Sequence, residues 1–199
     1  MGTFRLPSGK FNAYENDIRV PFYVTGPGVT KGVQLETLVN NVDIAATVLE
    51  LSGVPTAAGY PTDGTSFASQ LTAAGREASA WQRDRLVFEY WGMGYTERGP
   101  CHNGTSPCPG GAQALEDAPS NSWSGLRIKN ATHNLAYAEY RASDKAQLIP
   151  ASTNFTTLFD MENDPWQLTN LAVNSSSALI SALSAELWAI ATCAGKECP

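Results

Sequence analysis

Ile18, Val20, Phe22 and Val24 alternate with Arg19, Pro21 and Tyr23, a period of two that predicts a strand. Pro21 lacks the amide hydrogen a ladder needs, so it is expected on a sheet edge or at an unpaired position, the strand being ended by the turn residues Gly26-Pro27-Gly28. A second extended run, Thr37 to Val42, leads to Asp43, whose carboxylate is suited to accept the free amide hydrogens at the start of a helix from Ile44 to Ser52. Gly53 supplies the left-handed residue that stops this helix, and Pro55 prevents its continuation. Strand, turn, strand and capped helix predict the last part of an α/β layer.

Thr56 to Ser66 is rich in glycine, proline and threonine, with a short helix predicted from Phe67 to Leu71 and a domain boundary near Ala80. Beyond it, Arg85 to Trp91 predicts an apolar strand, followed by a glycine-rich stretch from Gly92 to Asn121. Trp123 to Lys129, Asn134 to Arg141 and Phe155 to Met161 predict three more strands, spaced by polar turns as in an antiparallel meander. Leu179, Leu183, Leu187 and Ile190 recur at helical spacing within Ser177 to Cys193, so a closing helix is expected to bury one face against that sheet. The expected architecture is α/β, with residues 1–80 in the α/β layer and 81–199 in a small α+β subdomain.

At 199 residues the chain can build one sizeable core or two small packed units. Hydrophobic residues at 43% against charged residues at 16% exclude a solvated disordered chain and leave the surface short of charge. A net charge of -6 without any run of lysine or arginine argues against a nucleic-acid partner and a polybasic membrane patch, and no stretch approaches the length of a membrane span.

Four cysteines fall as two close pairs, Cys101 with Cys108 and Cys193 with Cys198, the arrangement expected of small local disulfide loops, free thiols being the alternative. Candidate glycosylation sequons stand at Asn103, Asn130, Asn154 and Asn174. Their coincidence with paired cysteines points to the secretory pathway, extracellular or lysosomal. Met1 to Lys10 has no apolar signal region, so the chain is expected to begin inside a longer protein that carries the targeting signal.

Gly9-Lys10, Tyr14-Glu15, Asp17-Ile18-Arg19-Val20-Pro21-Phe22 and Gly26-Pro27-Gly28-Val29 resemble the stretch of sulfatases that follows their metal-binding segment. Leu38-Val39-Asn40-Asn41-Val42-Asp43-Ile44-Ala45 and Asp63-Gly64-Thr65-Ser66 are similar to the family segments that come next. Leu158-Phe159-Asp160, Asn163-Asp164-Pro165 and Gln167-Leu168-Thr169-Asn170-Leu171 resemble its closing strand and turn. The resemblance spans nearly the whole chain and is nearest to N-acetylglucosamine-6-sulfatases and to algal and fungal arylsulfatases. It implies the C-terminal part of an alkaline-phosphatase-like core followed by a small antiparallel sheet with a C-terminal helix. It also implies hydrolysis of aryl or sugar sulfates, with a sulfated small molecule or glycan as substrate.

In the family, a lysine at the Gly-Lys-x-x-x-Tyr-Glu position contacts a sulfate oxygen, and Lys10 matches it. A fixed ammonium within hydrogen-bond reach stabilises the negative charge that develops as the S–O bond breaks. Tyr14 and Glu15 are expected to be structural, and Arg19 to be an ion-pairing residue. His133, in the connection between two predicted strands, is a candidate substrate contact; His102, beside Cys101, is expected at the surface. Phe88, Tyr90, Trp91, Trp123, Tyr137 and Tyr140 are expected in the core, and Asp160, Glu162 and Asp164 in a turn before Pro165.

The resemblance implies formylglycine, made from the first residue of a Cys- or Ser-x-Pro-x-Arg motif, and calcium held by an aspartate cluster. As its hydrate, formylglycine would attack sulfur, expel the alcohol and release sulfate when the aldehyde reforms. No such motif occurs among these residues, and the calcium positions are expected in the missing N-terminal sulfatase segment. The chain alone is therefore expected to be inactive. Two other readings are a non-catalytic module binding sulfated glycans or a partner, and a phosphodiesterase or phosphonate hydrolase of the same superfamily.

Overall fold

A computed structural model describes residues 11–54, 62–78, 83–92, 121–141 and 153–193, with 153 and 154 by backbone alone. Its elements are α1 (Glu15–Ile18), α2 (Val42–Leu51), α3 (Ala73–Ala78), β1 (Arg85–Tyr90), β2 (Ser122–Lys129), β3 (Asn134–Arg141), β4 (Thr153–Asp160) and α4 (Ser177–Ala191). Short 3-10 turns lie at Ala68–Leu71 and Leu171–Val173. The strands form one four-stranded sheet in the order β1-β2-β3-β4. The chain divides into two compact units: Met1–Val20, Phe88–Leu126 and Leu135–Ser184 in the first, and Pro21–Val87, Arg127–Asn134 and Ala185–Pro199 in the second.

In the first unit, β3 and β4 pair antiparallel, with Leu135 opposite Asp160 and Tyr140 opposite Phe155. Trp123 of β2 lies edge-on to Phe88 at 5.8 Å and stacked on Tyr90 at 5.8 Å, so these aromatics are core packing as expected. Gly125 is required there, because a Cβ would come within 2.3 Å of the Phe88 ring. Glu139 is only 2% exposed and is held by the Tyr137 hydroxyl at 2.8 Å and by the Arg141 guanidinium. Burial, then the adjacent Glu139 carboxylate, pushes the Tyr137 hydroxyl pKa up.

The closing turn of this unit is built from its own polar side chains. Asp160 accepts the amide hydrogens of Glu162 at 3.0 Å and Asn163 at 3.3 Å. Asp164 accepts those of Leu168 at 3.0 Å and Thr169 at 2.8 Å. Asn170 accepts from the Leu158 amide and donates to the Thr156 carbonyl, both at 3.0 Å, so its side chain occupies backbone groups of β4 that another strand would otherwise take.

The second unit is organised on Asp43, whose side chain is fully buried. One carboxylate oxygen accepts the Asn40 amide at 2.7 Å and the Arg83 guanidinium at 2.5 Å, and the other accepts the Thr65 amide at 2.9 Å. Thr47 extends the network: its hydroxyl donates to the Asp43 carbonyl at 2.7 Å and accepts the Phe67 amide at 3.1 Å. The turn after Asp63 thus lies against the start of α2, and a Cβ on Gly64 would meet the Val42 carbonyl oxygen at 2.0 Å.

Strands β1 to β3 match their predicted ranges within a residue, and β4 starts two residues earlier than predicted. α2 stops where expected, at Gly53 with φ of 68°. Several local readings differ. Asp43 sits inside the first turn of α2, reaching back to Asn40, because the helix starts at Val42. The run from Ile18 to Val24 is not a strand: Ile18 ends α1, and the residues after it have no ladder partner among the described residues. An alternating sequence without a partner strand is merely extended backbone, and Val20 stands 61% exposed. Thr37 to Val42 forms no strand for the same reason. Along α4, Leu183 and Leu187 are buried while Leu179 is 42% exposed, a narrower stripe than the spacing predicts. α3 was not anticipated from the sequence.

Gly64→Ala should lower stability by at least about 2 kcal/mol, and Asp43→Ala by about 3–5 kcal/mol through the uncompensated Arg83, both read from urea midpoints. Hydrogen bonding from the Asn163 side chain holds the Asp160 carboxyl below its ordinary range. A lowered folded pKa means that its stabilisation is present above the unfolded value, near 4, and is lost as pH falls through the folded one. The thermal midpoint of the wild type should therefore exceed that of Asp160→Asn at pH 6, with the gap closing toward pH 3.

Candidate functional site

Of the candidate site residues, Lys10, Cys101, Asn103, Cys108 and Cys198 lie outside the described residues, as does the side chain of Asn154 at the start of β4. The structure does describe the segment that follows Lys10, and there the first unit concentrates its side-chain contacts. The Phe11 carbonyl accepts two side-chain donors, Asn121 Nδ2 at 2.9 Å and Trp123 Nε1 at 3.1 Å. The Phe11 ring stacks on Tyr90 at 5.2 Å. Phe11 has φ of 50°, a left-handed conformation that costs a non-glycine residue on the order of 1 kcal/mol and needs such support to persist.

The next residues are held one by one. The Ala13 amide donates to the Tyr140 hydroxyl at 3.4 Å, and Ala13 is buried with Trp123 and Ala138. Burial raises the Tyr140 hydroxyl to about 12, so at neutral pH it stays protonated and its oxygen accepts. Tyr14 packs its ring on Phe159 at 5.5 Å. The Glu15 amide donates to Gln167 Oε1 at 2.6 Å. Asn12 and Asp17 close the segment locally: the Asn12 amide donates to Asp17 Oδ2, and Asn12 Oδ1 accepts the Tyr14 amide, both at 3.0 Å. Tyr14 and Glu15 are structural here, as expected, and Arg19 ion-pairs with Glu15 at 3.3 Å.

Gln167 and Asn121 are anchors that sequence reading missed. Gln167 is buried and itself left-handed, with φ of 56°. The signal available was an amide side chain two residues after Asp-Pro, inside a turn whose backbone Asp164 already shapes.

His133 lies exposed on the turn between β2 and β3, its Nδ1 2.8 Å from the Thr132 hydroxyl. Asn130 is exposed on the same turn, and Asn174 is exposed at the end of a 3-10 turn. Cys193, just after α4, is disulfide-bonded. A shallow cleft in the first unit is lined by Tyr90, Trp91, Ser122, Trp123, Ser124 and Arg141, and the Arg141 charge is already engaged by Glu139. Among the described residues, no group of three or more His, Cys, Asp or Glu could hold a metal ion. The two buried carboxylates among them are already engaged, Asp43 by backbone amides and Arg83 and Glu139 by Tyr137 and Arg141, so these residues do not fit the implied calcium. No helix among them is long and apolar enough to cross a membrane.

Residues 8–106 match the family described as N-sulphoglucosamine sulphohydrolase, C-terminal. Over 202 aligned positions the chain is 31% identical to the N-acetylglucosamine-6-sulfatase of Bos taurus, covering 99% of this chain and 33% of that protein. It is 27% identical to the arylsulfatase of Volvox carteri, covering 100% of this chain and 29% of that one. The chain thus spans about a third of the length of these curated relatives. A solved structure described under metabolism of multiple glycosaminoglycans by Bacteroides thetaiotaomicron superposes with a TM-score of 0.50 at 20% identity, covering 79% of this chain and 27% of that chain, a likeness of fold.

Gln167→Ala should leave the Glu15 amide without its partner and cost about 1–3 kcal/mol in urea unfolding, whereas Gln167→Glu, which keeps an acceptor, should recover most of that loss.

Proposed function

Because the chain belongs to the sulfatase family and matches its C-terminal portion, we propose that it completes the active site of a sulfuric ester hydrolase. Lys10 contacts a sulfate oxygen of an aryl or sugar sulfate. The observation that carries the reading is the anchoring of the residues directly after Lys10: the Phe11 carbonyl, the Ala13 and Glu15 amides and the Tyr14 ring are each held by a separate side chain. A catalytic cation is effective only when its position is set before the charge it stabilises develops, and a tethered backbone provides that.

The nucleophile and the calcium ligands belong, on this reading, to the N-terminal sulfatase segment. Formylglycine and calcium supply nucleophilic attack and charge neutralisation in the family, and the residues of this chain supply the cation and its support. Apolar side chains of the second unit support such a partner: Phe22, Val33 and Leu35, with Val42, Val48 and Leu51 of α2, are exposed. Exposed apolar side chains in such number are in keeping with a surface that a further segment covers. The division near residue 80 follows the same logic, with residues 1–80 completing the core and 81–199 forming the closing subdomain. His133 contacts the substrate away from sulfur. Secretion to the exterior or to lysosomes accompanies this function, with local disulfides joining Cys101 to Cys108 and Cys193 to Cys198.

The purified chain should leave a fluorogenic sulfate ester intact with or without added calcium; metal-dependent hydrolysis by it would overturn the reading. Binding of sulfated sugar without any dependence on Lys10 would favour a non-catalytic module instead. In the polypeptide that also carries the nucleophile segment, Lys10→Ala should lower kcat by about 10²–10³-fold, while His133→Ala should act mainly on KM.

A further inference from the structure

We propose that Asn130 is the acceptor of an N-linked oligosaccharide and that the turn between β2 and β3 presents it. The inference rests on the secretory reading above and adds to it which sequon the fold keeps available. Asn130, Ala131, Thr132 and His133 are all exposed, and the turn is closed by the Asn130 amide donating to the His133 carbonyl at 2.8 Å.

The Asn130 side chain is already oriented. Its Oδ1 accepts from the Thr132 amide at 2.9 Å, the Thr132 hydroxyl at 3.0 Å and the His133 amide at 2.8 Å. Three donors on one oxygen fix the carboxamide plane, so the acceptor nitrogen points away from the turn backbone. Nδ2 makes only a long contact, 3.5 Å, with the exposed Asp84 carboxylate, which a sugar can displace at little cost. The same geometry brings the hydroxyl and the carboxamide of the sequon together on one side of the turn. A large polar group added at Nδ2 extends into water and buries nothing, so folding does not oppose it.

Among the other sequons, Asn174 is exposed as well, but it follows Val173, 78% exposed, and closes a turn near exposed Leu168 and Leu171, an apolar neighbourhood where a glycan would cover groups that other surfaces can pack against. The residues that form the Asn130 turn, Ala131, Thr132 and His133, include no large aliphatic side chain. In the modification, Nδ2 bonds to C1 of an oligosaccharide carried on a lipid diphosphate. The bond from C1 to the diphosphate oxygen breaks, Nδ2 releases a proton and the lipid diphosphate leaves.

The test is expression of the full chain behind a cleavable secretory leader in a eukaryotic host, followed by peptide-N-glycosidase treatment in heavy-oxygen water and peptide mass spectrometry. Conversion of Asn130 to labelled aspartate in most molecules is expected. Thr132→Ala and Asn130→Gln should each remove one glycan-sized step in gel mobility, and Thr132→Ser should retain it. Both secreted and cell-retained pools are read, so a variant that folds poorly still reports occupancy. An unmodified Asn130, whether or not another sequon is occupied, overturns the proposal. Because the leader supplies entry, failure of the secretory reading is read separately, from the location of the native protein with its own N-terminus.

Discussion

The carbonyl of Phe11 takes hydrogen bonds from an indole and from a carboxamide, and on that doubly occupied oxygen depends the path of the chain through the residues after Lys10. A left-handed phenylalanine is unfavourable in isolation. It persists because two donors from the segment that opens β2, together with a stacked tyrosine ring, make the alternative conformations more costly still. Trp123 serves both ends of this arrangement: its ring builds the aromatic cluster of the first unit, and its Nε1 fixes the backbone that the cluster supports. Packing and positioning are therefore one interaction, which ties the sheet to the backbone that follows Lys10.

The closing turn works by a related economy of polar groups. The oxygens of Asp160, Asp164 and Asn170 accept backbone amides of the turn and of β4, so the segment's own backbone engages these polar groups. Gln167, raised from that turn in a left-handed conformation, then takes the Glu15 amide. Residues far apart in sequence, Glu15 and Gln167, are joined because each offers the group that the other lacks. The second unit shows the converse. The Asp43 carboxylate is met by two backbone amides and a guanidinium, yet apolar side chains on α2 and before it are exposed, and the proposed N-terminal sulfatase segment accounts for them by covering them.

Much of the first unit was legible before any coordinates. Alternation in 123–129 and 134–141 marks strands because aromatic and aliphatic residues there pack within the sheet, and the helix ending at Gly53 follows from local backbone preference. Ile18 to Val24 carries the same alternation and is not a strand, since a ladder is a property of two segments and only one is written in those residues. The motif carrying Lys10 was readable through its resemblance to the sulfatase family, while the side chains that hold the residues after it were not: Asn121, Tyr140 and Gln167 lie more than 100 residues downstream and have no periodic relation to it.

By itself the sequence carried the family resemblance, the ranges of β1 to β3, the stop of α2 and the motif around the candidate cation, because each depends on local pattern or on residues adjacent in the chain. Only the tertiary structure decided that Asp43 is a buried hub, that Asn170 covers the edge of β4 and that Phe11 is left-handed. Those outcomes depend on which donors and acceptors meet across the fold, and hydrogen-bond partners brought together from distant positions leave no periodic trace in the chain.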